Sequence, residues 1–275
     1  MTLQGKKAIV TGGSRGIGAA IARRLAADGA DVAITFAGNR EAADAIVAEI
    51  TSGGRQGFAI QADASDRARQ SAAIGEAAGW LGGLDILVHN AGVASFVPLA
   101  EEDDANYDRT FGVNVGGVNV GGVHAGTRAA LPHLADGGRV IIVGSISGDK
   151  ALFPGVSTYS ATKAAVQALA RGWALDLAPR GILVNVIQPG PIDTDLNPAD
   201  GPLAGQMLPL IPLGRYGRPG RGRERRRVPI ERRSIVHYRH IDRRRRGRRP
   251  VATWALGSGR RCLGRERAAP NGRIA

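Results

Sequence analysis

The sequence predicts an α/β protein of three layers, with a doubly wound parallel sheet between two layers of helices. Two observations lead to this prediction. Short β-branched apolar runs alternate with longer alanine-rich stretches through most of the 275 residues, and a glycine-rich turn follows the first apolar run. Because such alternation favours βαβ units with right-handed crossovers, helices should cover both faces of a parallel sheet.

Each element is predicted from its local composition. Runs rich in valine, isoleucine and leucine are typical of buried strands, and alanine-rich runs favour helices. Strands are predicted at 7–11, 31–36, 57–61, 84–89, 139–144 and 182–188. Helices are predicted at about 16–28, 40–52, 66–81, 105–135 and 158–178.

The turn after the first strand has the pattern of a dinucleotide-binding loop, which makes the predicted fold Rossmann-like. It leaves an apolar strand and enters an alanine-rich helix, the context that this function requires. Gly12 permits a tight turn, Gly16 lets the backbone approach a pyrophosphate, and Gly18 lets the helix pack on the strand. The helix N-terminus then faces the phosphates. The predicted loop residues are Gly12, Ser14, Arg15, Gly16, Ile17 and Gly18.

The residues around the second strand favour NADP(H) over NAD(H). Sites for NAD often have a carboxylate about 20 positions after the turn, which binds the ribose 2′-hydroxyl. Here the first carboxylate after the second strand is Glu41, whereas Arg15 and Arg40 could pair with a 2′-phosphate. Either arginine could equally be a solvated surface charge. NADP(H) is therefore the preferred cofactor, and NAD(H) is the alternative.

Tyr159 and Lys163 form a candidate catalytic pair. They are four residues apart in a predicted helix, so their side chains lie on one helix face. A free phenol titrates near ~10, and an adjacent lysine cation should lower the pKa of Tyr159 toward a range useful for proton transfer. Ser145 could hold a substrate oxygen with its hydroxyl. Alone, such a Tyr–Lys pair is more often a surface contact, but the surrounding motifs favour the catalytic interpretation.

Residues 1–219 resemble the short-chain dehydrogenase/reductase family, in particular the bacterial 3-oxoacyl-[acyl-carrier-protein] reductases. The matching motifs, in order, are the glycine-rich turn, Asp63, Asn90-Ala91-Gly92, Ser145, Tyr159 with Lys163, and Pro189-Gly190. The segments 148–150 and 188–195 are also similar to a narrower bacterial branch. That branch includes a biofilm-dispersal mediator described as a cyclic-dinucleotide binder.

The resemblance implies reduction of a carbonyl, or oxidation of the alcohol, by hydride transfer from a nicotinamide cofactor. Tyr159 would donate the proton, Lys163 would bind the nicotinamide ribose, and Ser145 would polarise the carbonyl. The predicted cofactor-binding residues beyond the glycine-rich turn are Arg40, Asp63, Ala64, Asn90, Ala91, Gly92, Tyr159, Lys163, Pro189, Gly190, Ile192 and Thr194. For Asp63 and Thr194, a turn or helix cap is the alternative role.

Two other functions are kept as alternatives. One is a non-catalytic homologue that senses a nucleotide such as a cyclic dinucleotide, and the other is an enzyme inactivated by a frameshift. The complete Ser–Tyr–Lys set argues against a pure sensor, which would not need it. No metal site is expected.

The family also places an asparagine in the long fifth helix, and this chain offers two. Asn114 and Asn119 begin two consecutive copies of Asn-Val-Gly-Gly-Val. Because five residues advance a helix by about 140° beyond one turn, both side chains cannot face the same site. The loop 93–107 can absorb extra length more easily than a packed helix. The expectation is therefore Asn119, with Asn114 as the alternative.

The charge distribution divides the chain at residue 219. Residues 1–219 carry 18 lysines and arginines against 20 acidic residues, whereas residues 220–275 carry 19 arginines against four acidic residues. The net charge of +13 therefore arises in the second part. The sequence predicts a cofactor-binding domain at 1–219 and an arginine-rich tail at 220–275, which should be disordered because so many like charges cannot be buried together.

A shift of reading frame would explain this tail. The family pattern continues with a helix and a last strand, and both are expected to be missing here. Removal of one base at codon 220 lets the later codons encode a family-like ending, in which His237, Tyr238 and Arg239 become Ile-Thr-Gly. The alternative is a nucleic-acid-binding arm, but such arms usually mix lysine with arginine and this tail has no lysine. Nucleic acid is therefore not an expected partner.

The remaining features indicate a cytoplasmic protein. The single cysteine, Cys262, excludes an intrachain disulfide and suits a reducing compartment. No apolar run is long enough to cross a bilayer, and the first residues lack a signal-peptide pattern. The expected partner is a small carbonyl or alcohol substrate. The resemblance implies a homotetramer or homodimer if the C-terminal elements are intact.

Overall fold

A computed structural model describes residues 3–220, and within that range the side chains of five residues are not described. Those five are Asn106, Arg109, Thr110, Val113 and Asn114. The predictions for the arginine-rich tail and for the missing final helix and strand lie outside the described residues. The boundary at residue 219 coincides with the end of the described part, so it stays a prediction.

The described residues form six strands and seven α-helices. The strands are β1 (Lys7–Val10), β2 (Asp31–Phe36), β3 (Gly57–Gln61), β4 (Leu84–His89), β5 (Leu134–Val143) and β6 (Leu183–Ile187). The helices are α1 (Gly16–Ala27), α2 (Arg40–Ser52), α3 (Arg67–Leu81), α4 (Asp104–Phe111), α5 (Gly121–Ala130), α6 (Ser157–Asp176) and α7 (Ala204–Met207).

All six strands pair in parallel in the order β3-β2-β1-β4-β5-β6, which confirms the predicted doubly wound sheet. The chain runs outward from β1 through β2 to β3 and then returns to place β4 on the other side of β1. The order therefore reverses between β1 and β4. In open α/β sheets, ligands bind outside the carboxyl ends of the strands at such a reversal.

The core lies in two layers, one on each face of the sheet. Alternate residues of one strand face opposite layers, as in β1, where Ile9 packs with the α3 residue Ile74 and Val10 packs with the α2 residue Ile46. Helices α1 and α2 cover one face, and α3, α5 and α6 cover the other. The three-layer prediction is confirmed. Within residues 3–220, no helix is both long enough and apolar enough to cross a bilayer.

The prediction of one continuous helix at 105–135 was wrong. The range 105–135 contains α4, a π-helical segment at Gly112–Val118 and α5, with a break at Gly117 where φ is −105° and ψ is −121°. The irregularity falls inside the five-residue repeat, not in the loop 93–107 where we expected the extra length. The four glycines of the repeat explain this, because glycine weakens a helix and adopts conformations that other residues avoid.

The fifth strand also begins earlier than predicted. β5 starts at Leu134, which pairs with Leu84, and an irregularity in register follows between Leu84 and Ile86. The prediction missed the first residues of β5 because Asp136, Gly137 and Gly138 are typical of a turn. The other predicted boundaries differ from the observed ones by at most two residues.

Candidate active site

A cleft of about 330 Å³ lies at the carboxyl ends of the strands, where the strand order reverses. Loops after β1, β3, β4, β5 and β6 line it, together with α6. The predicted residues that line it are Gly12, Ser14, Arg15, Gly16, Ile17, Asp63, Ala64, Asn90, Ala91, Gly92, Ser145, Tyr159, Lys163, Pro189, Gly190, Ile192 and Thr194. Motifs from six separate parts of the sequence thus meet around one cleft.

The glycine-rich turn is fixed to the end of β4 by hydrogen bonds. The Thr11 hydroxyl oxygen accepts hydrogen bonds from the backbone N–H groups of Asn90 and Ala91, at 3.0 and 3.1 Å. In return, the Asn90 amide donates to the carbonyl oxygens of Gly12 and Thr11, at 3.0 and 3.1 Å. Asn90 therefore positions the turn, in addition to lining the cleft.

Gly18 is required by packing and does not line the cleft. A Cβ atom at this position would overlap the carbonyl oxygen of Gly12 and the side-chain amide of Asn90. Gly12 itself has a φ of +63°, which favours glycine. These contacts agree with the predicted roles of a tight turn and a close approach of helix to strand.

The N-terminus of α1 is suited to an anion. Its N-cap residue, Arg15, makes no side-chain capping hydrogen bond, and the first turn contains no acidic residue. The backbone N–H groups there are therefore not neutralised by a carboxylate, and the helix dipole favours negative charge at this end. Gly16, with a φ of +54°, brings the backbone to the cleft without a side chain in the way.

The two arginines predicted to favour NADP(H) are placed differently. Arg15 lines the cleft. Arg40 is 59% exposed, lies 5.1 Å from the centre of the Phe36 ring and is 3.6 Å from the Asp44 carboxylate. Arg40 is therefore outside the cleft lining, but Phe36, against which it stacks, belongs to the lining.

Ser145, Tyr159 and Lys163 meet at the end of β5. Ser145 caps a short 3-10 turn, accepting a hydrogen bond from the Ser147 N–H at 3.1 Å. Helix α6 carries Tyr159 and Lys163 one turn apart. The Lys163 ammonium donates to the Val143 carbonyl oxygen at 3.2 Å and lies 5.7 Å from the centre of the Tyr159 ring. One strand end and one helix thus hold all three groups.

The pKa of Tyr159 differs from the sequence-based expectation. Burial raises the pKa of Tyr159 above its ordinary value, and a hydrogen bond with Ser145 opposes this effect. Burial also lowers the pKa of Lys163 to about 8. The main effect on Tyr159 is thus its own burial, which opposes the lowering of its pKa that we expected from Lys163. The phenol is thus held in its protonated form at neutral pH.

Asn119 does not itself line the cleft but is packed against the lining residues Gly92 and Val93, and it is only 1% exposed. Its side-chain amide donates to the Val93 carbonyl oxygen at 2.9 Å, and its oxygen accepts from the Val93 N–H at 3.3 Å. A Cβ atom on Gly92 would lie 2.9 Å from the Asn119 oxygen and 3.4 Å from the Lys163 nitrogen. The side chain of Asn114 is not among those described.

Asp63 and Thr194 line the cleft and also stabilise turns. The Asp63 carboxylate accepts from the Ser65 N–H at 2.8 Å, and the Thr194 hydroxyl accepts from the Asn197 N–H at 3.3 Å. The structure therefore shows the turn-stabilising role that the sequence left open, at positions that also face the cleft. The residues at 189–194 are held to the site by the Ile146 N–H, which donates to the Pro189 carbonyl at 3.1 Å.

Sequence reasoning missed two aromatic residues near Tyr159. The Phe96 ring centre lies 5.7 Å from that of Tyr159 and 5.2 Å from that of Phe153, with the rings nearly perpendicular in both pairs. Phe36, Ala37, Leu196 and Asn197 line the cleft and were also missed. Phe96 and Phe153 belong to no motif, and only their rarity in a chain with 4% aromatic residues could have drawn attention to them.

No group of three or more His, Cys, Asp or Glu residues suited to a metal occurs among the described residues. The cations that line the cleft are Arg15 and Lys163, and the carboxylates are Asp63 and Asp195.

The chain belongs to the short-chain dehydrogenase family, whose model matches residues 6–202. This match covers the glycine-rich turn, the Ser–Tyr–Lys group and the loop after β6. Fold and cleft therefore agree with the family, and they place the protein among its oxidoreductases.

Several relatives cover most of the chain. It is 42% identical over 215 residues to the cyclic-di-GMP-binding biofilm dispersal mediator protein of Escherichia coli K12, covering 78% of this chain and 85% of the relative. It is 40% identical over 213 residues to the 3-oxoacyl-[acyl-carrier-protein] reductase of Staphylococcus aureus Mu50, covering 77% and 85%.

A solved structure gives the same picture. A short-chain dehydrogenase from Burkholderia cenocepacia J2315, in complex with NADP, is 46% identical and superposes with a TM-score of 0.76. The match covers 80% of this chain and 88% of that protein.

Proposed function

We propose that the protein is an NADP(H)-dependent oxidoreductase that reduces a carbonyl compound, or oxidises the corresponding alcohol. The observation that supports this most is that Ser145, Tyr159 and Lys163 line the same cleft as the N-terminus of α1. A sensor would need the nucleotide-binding residues alone. The presence of a proton donor in the same cleft favours chemistry.

The roles follow from the contacts. The Tyr159 phenol donates its proton to the carbonyl oxygen, and Ser145 stabilises the negative charge that develops there. The Lys163 ammonium is held by its hydrogen bond to the Val143 carbonyl oxygen, and its pKa is about 8. It supplies positive charge next to the phenol. NADPH, when bound, supplies the hydride that attacks the carbonyl carbon, so the products are an alcohol and the oxidised cofactor.

The cleft fits this cofactor. The uncapped N-terminus of α1 and the backbone at Gly16 suit a pyrophosphate. The Burkholderia structure is bound to NADP, and a similar blue fluorescent protein from a metagenomic library is bound to NADPH. For this chain we assign the 2′-phosphate to Arg15, with Arg40 approaching beside Phe36.

Titration of the full chain with NADPH and NADH tests the cofactor assignment. NADPH should bind more tightly, and Arg15→Ala should reduce the preference by roughly tenfold to a hundredfold, because a charge-assisted hydrogen bond is worth about 1.5–3 kcal/mol. Arg40→Ala shows whether the second arginine contributes. Arg24→Ala is the matched control, since Arg24 lies in α1, the helix that Arg15 caps, but pairs with Asp28. Equal affinity for the two cofactors would refute the assignment.

The second candidate function is nucleotide sensing without catalysis, and the name of the Escherichia coli relative favours it. A sensor should bind cyclic di-GMP in competition with NADPH and should turn over no carbonyl compound. Titrating the protein–NADPH complex with cyclic di-GMP separates the candidates. The oxidoreductase proposal predicts carbonyl-dependent oxidation of NADPH in the same preparation.

The assembly and location of the protein are further parts of this proposal. We infer a cytoplasmic protein, and a homodimer or homotetramer if the C-terminal elements are intact. Light scattering during size-exclusion chromatography measures the mass directly. A mass equal to the 28.6 kDa of one chain would exclude either assembly for the chain as written.

A further inference from the structure

Phe96 and Phe153 form a pair of aromatic rings next to the proton donor, and we call this pair the aromatic platform. The centre of the Phe96 ring lies 5.7 Å from the Tyr159 ring and 5.2 Å from the Phe153 ring, with interplanar angles of 78° and 74°. Both phenylalanines are only half-buried. Each therefore keeps part of its surface accessible, and Phe96 contacts Tyr159 directly although neither phenylalanine belongs to the cleft lining.

The two loops that carry the platform are tied together. The Val97 N–H donates to the Gly155 carbonyl oxygen at 3.1 Å. Gly155 has a φ of +82°, and a Cβ there would lie 3.1 Å from the backbone of Val97 and Pro98. A larger residue would strain this contact, so the close approach depends on glycine. The platform is consequently held in place by backbone contacts and is not a pair of freely moving side chains.

The charges near the platform disfavour an anion. The Thr158 hydroxyl, next to Tyr159 in sequence, donates to the Glu102 carboxylate at 3.4 Å. Asp195 lines the cleft beside Leu196. Arg15 belongs to the glycine-rich turn, and the Lys163 ammonium is bonded to Val143. Among the described residues that line the cleft, no further cation is therefore left for a carboxylate on the substrate, which would meet the negative charge of Asp195.

We propose that the aromatic platform binds the non-reacting part of the substrate, and that this substrate is an uncharged carbonyl compound with an aromatic or conjugated group. Aromatic rings pack edge to face on other rings, as Phe96 already does on its two neighbours. A flat group bound there places its attached carbonyl beside the Tyr159 hydroxyl. This inference rests on the proposed function and specifies its substrate class.

Four related carbonyl compounds test the two parts of the inference separately. Ethyl benzoylformate is aromatic and neutral, benzoylformate is aromatic and anionic, ethyl pyruvate is neutral without a ring, and pyruvate is anionic without a ring. With NADPH and the full chain, kcat/KM should be highest for ethyl benzoylformate. Its advantage over ethyl pyruvate should be at least threefold and up to about tenfold, the range expected for aromatic packing.

Substitution of the platform locates the preference. Phe96→Leu and Phe153→Leu should each lower the ratio of kcat/KM for ethyl benzoylformate to that for ethyl pyruvate by roughly threefold or more. The matched control is Phe58→Leu. Phe58 of β3 stacks on Trp80 of α3, with ring centres 4.8 Å apart, and so belongs to a different aromatic pair. The control should keep the wild-type ratio.

Three outcomes would overturn the inference. A preference for benzoylformate over its ethyl ester would refute the neutral substrate. A ratio that is unchanged in both platform variants would refute the platform as the binding surface, even though the proposed function would stand. If ethyl benzoylformate is not reduced while NADPH binds and another carbonyl compound is reduced, this inference fails and the proposed function stands.

Discussion

At the scale of the residue, burial decides the chemistry of the site. Burial raises the pKa of Tyr159 and lowers that of Lys163 to about 8. A raised pKa weakens the phenol as an acid but keeps it protonated, which suits a proton donor in carbonyl reduction. Ser145 partly offsets the increase through its hydrogen bond. The balance therefore depends on the neighbours of Tyr159 and not on the Tyr–Lys spacing alone.

His89 makes a testable contribution to stability. It is fully buried, and Thr127, whose hydroxyl donates to the Val123 carbonyl at 2.8 Å, lies 2.9 Å from its Nε2 atom. The Thr127 hydroxyl oxygen must therefore accept from Nε2–H, which fixes the tautomer of the neutral ring. Burial lowers the pKa of His89 to about 3 from 6.5. Below pH 6.5, His89 binds a proton in the unfolded chain but not in the folded chain. The free energy of unfolding therefore decreases as the pH falls toward 3.

This predicts a loss of about 1.4 kcal/mol per pH unit from His89 alone between those values. Urea unfolding at pH 6, 5 and 4 measures it. His89→Gln should flatten the dependence by that amount, whereas His133→Gln, at an exposed position, should keep the wild-type slope. Parallel slopes for wild type and His89→Gln would contradict the assignment.

At the scale of the element, the glycine-rich turn and the repeat after α4 are the informative segments. The turn could be predicted in detail because its glycines stand where a side chain would clash or where φ is positive. The repeat could not be, because a five-residue insertion can lengthen a loop, rotate a helix or widen it locally. The π-helical segment and the break at Gly117 show that the chain adopts the last of these.

Gly18→Ala should weaken NADPH binding at least tenfold and destabilise the protein by about 1–3 kcal/mol, because the new methyl group overlaps the turn. Gly75→Ala is the matched control. It also replaces a helical glycine, but nothing lies within 4 Å of the added Cβ, so it should stabilise α3 by up to about 1 kcal/mol without affecting binding. Calorimetry with and without NADPH measures both effects. Unchanged binding in Gly18→Ala would contradict the proposed approach of helix and turn.

We propose Asn119 as the asparagine of the active site. Asn119→Ala removes both side-chain hydrogen bonds to Val93 and should cost about 1–2 kcal/mol of stability, together with a loss of turnover. Asn114→Ala, at the same position of the other repeat copy, is the paired variant and should have the smaller effect on turnover. The reverse order of the two variants in an NADPH oxidation assay would show that Asn114 holds the role.

At the scale of the whole molecule, the order of the strands in the sheet determines where the candidate active site lies. The order reversal between β1 and β4 opens the cleft, and strand ends far apart in sequence bring Gly16, Asn90 and Ser145 to it. The sequence predicted these positions because the motifs follow fixed strands. It missed Phe96 and Phe153, since their approach to Tyr159 depends on two loops whose conformation no local pattern predicts.

The origin of the arginine-rich tail can be tested on the gene. We propose that it arises from a shift of frame near codon 220, since the charge changes there from nearly balanced to strongly basic. Resequencing of this region from genomic DNA should show one base fewer and restore a family-like ending. An unchanged sequence would instead support a translated arginine tail, as a nucleic-acid-binding arm or in a damaged enzyme.

The central claim is that Tyr159 donates the proton in an NADPH-dependent reaction, and one variant tests it most directly. In Tyr159→Phe, the dissociation constant for NADPH should stay within about threefold of wild type, because only a hydroxyl in the cleft is lost. Turnover should fall by roughly 10²–10⁴-fold, the contribution of a general acid. Retention of turnover would contradict the claim, and loss of NADPH binding together with turnover would show that the site is misplaced.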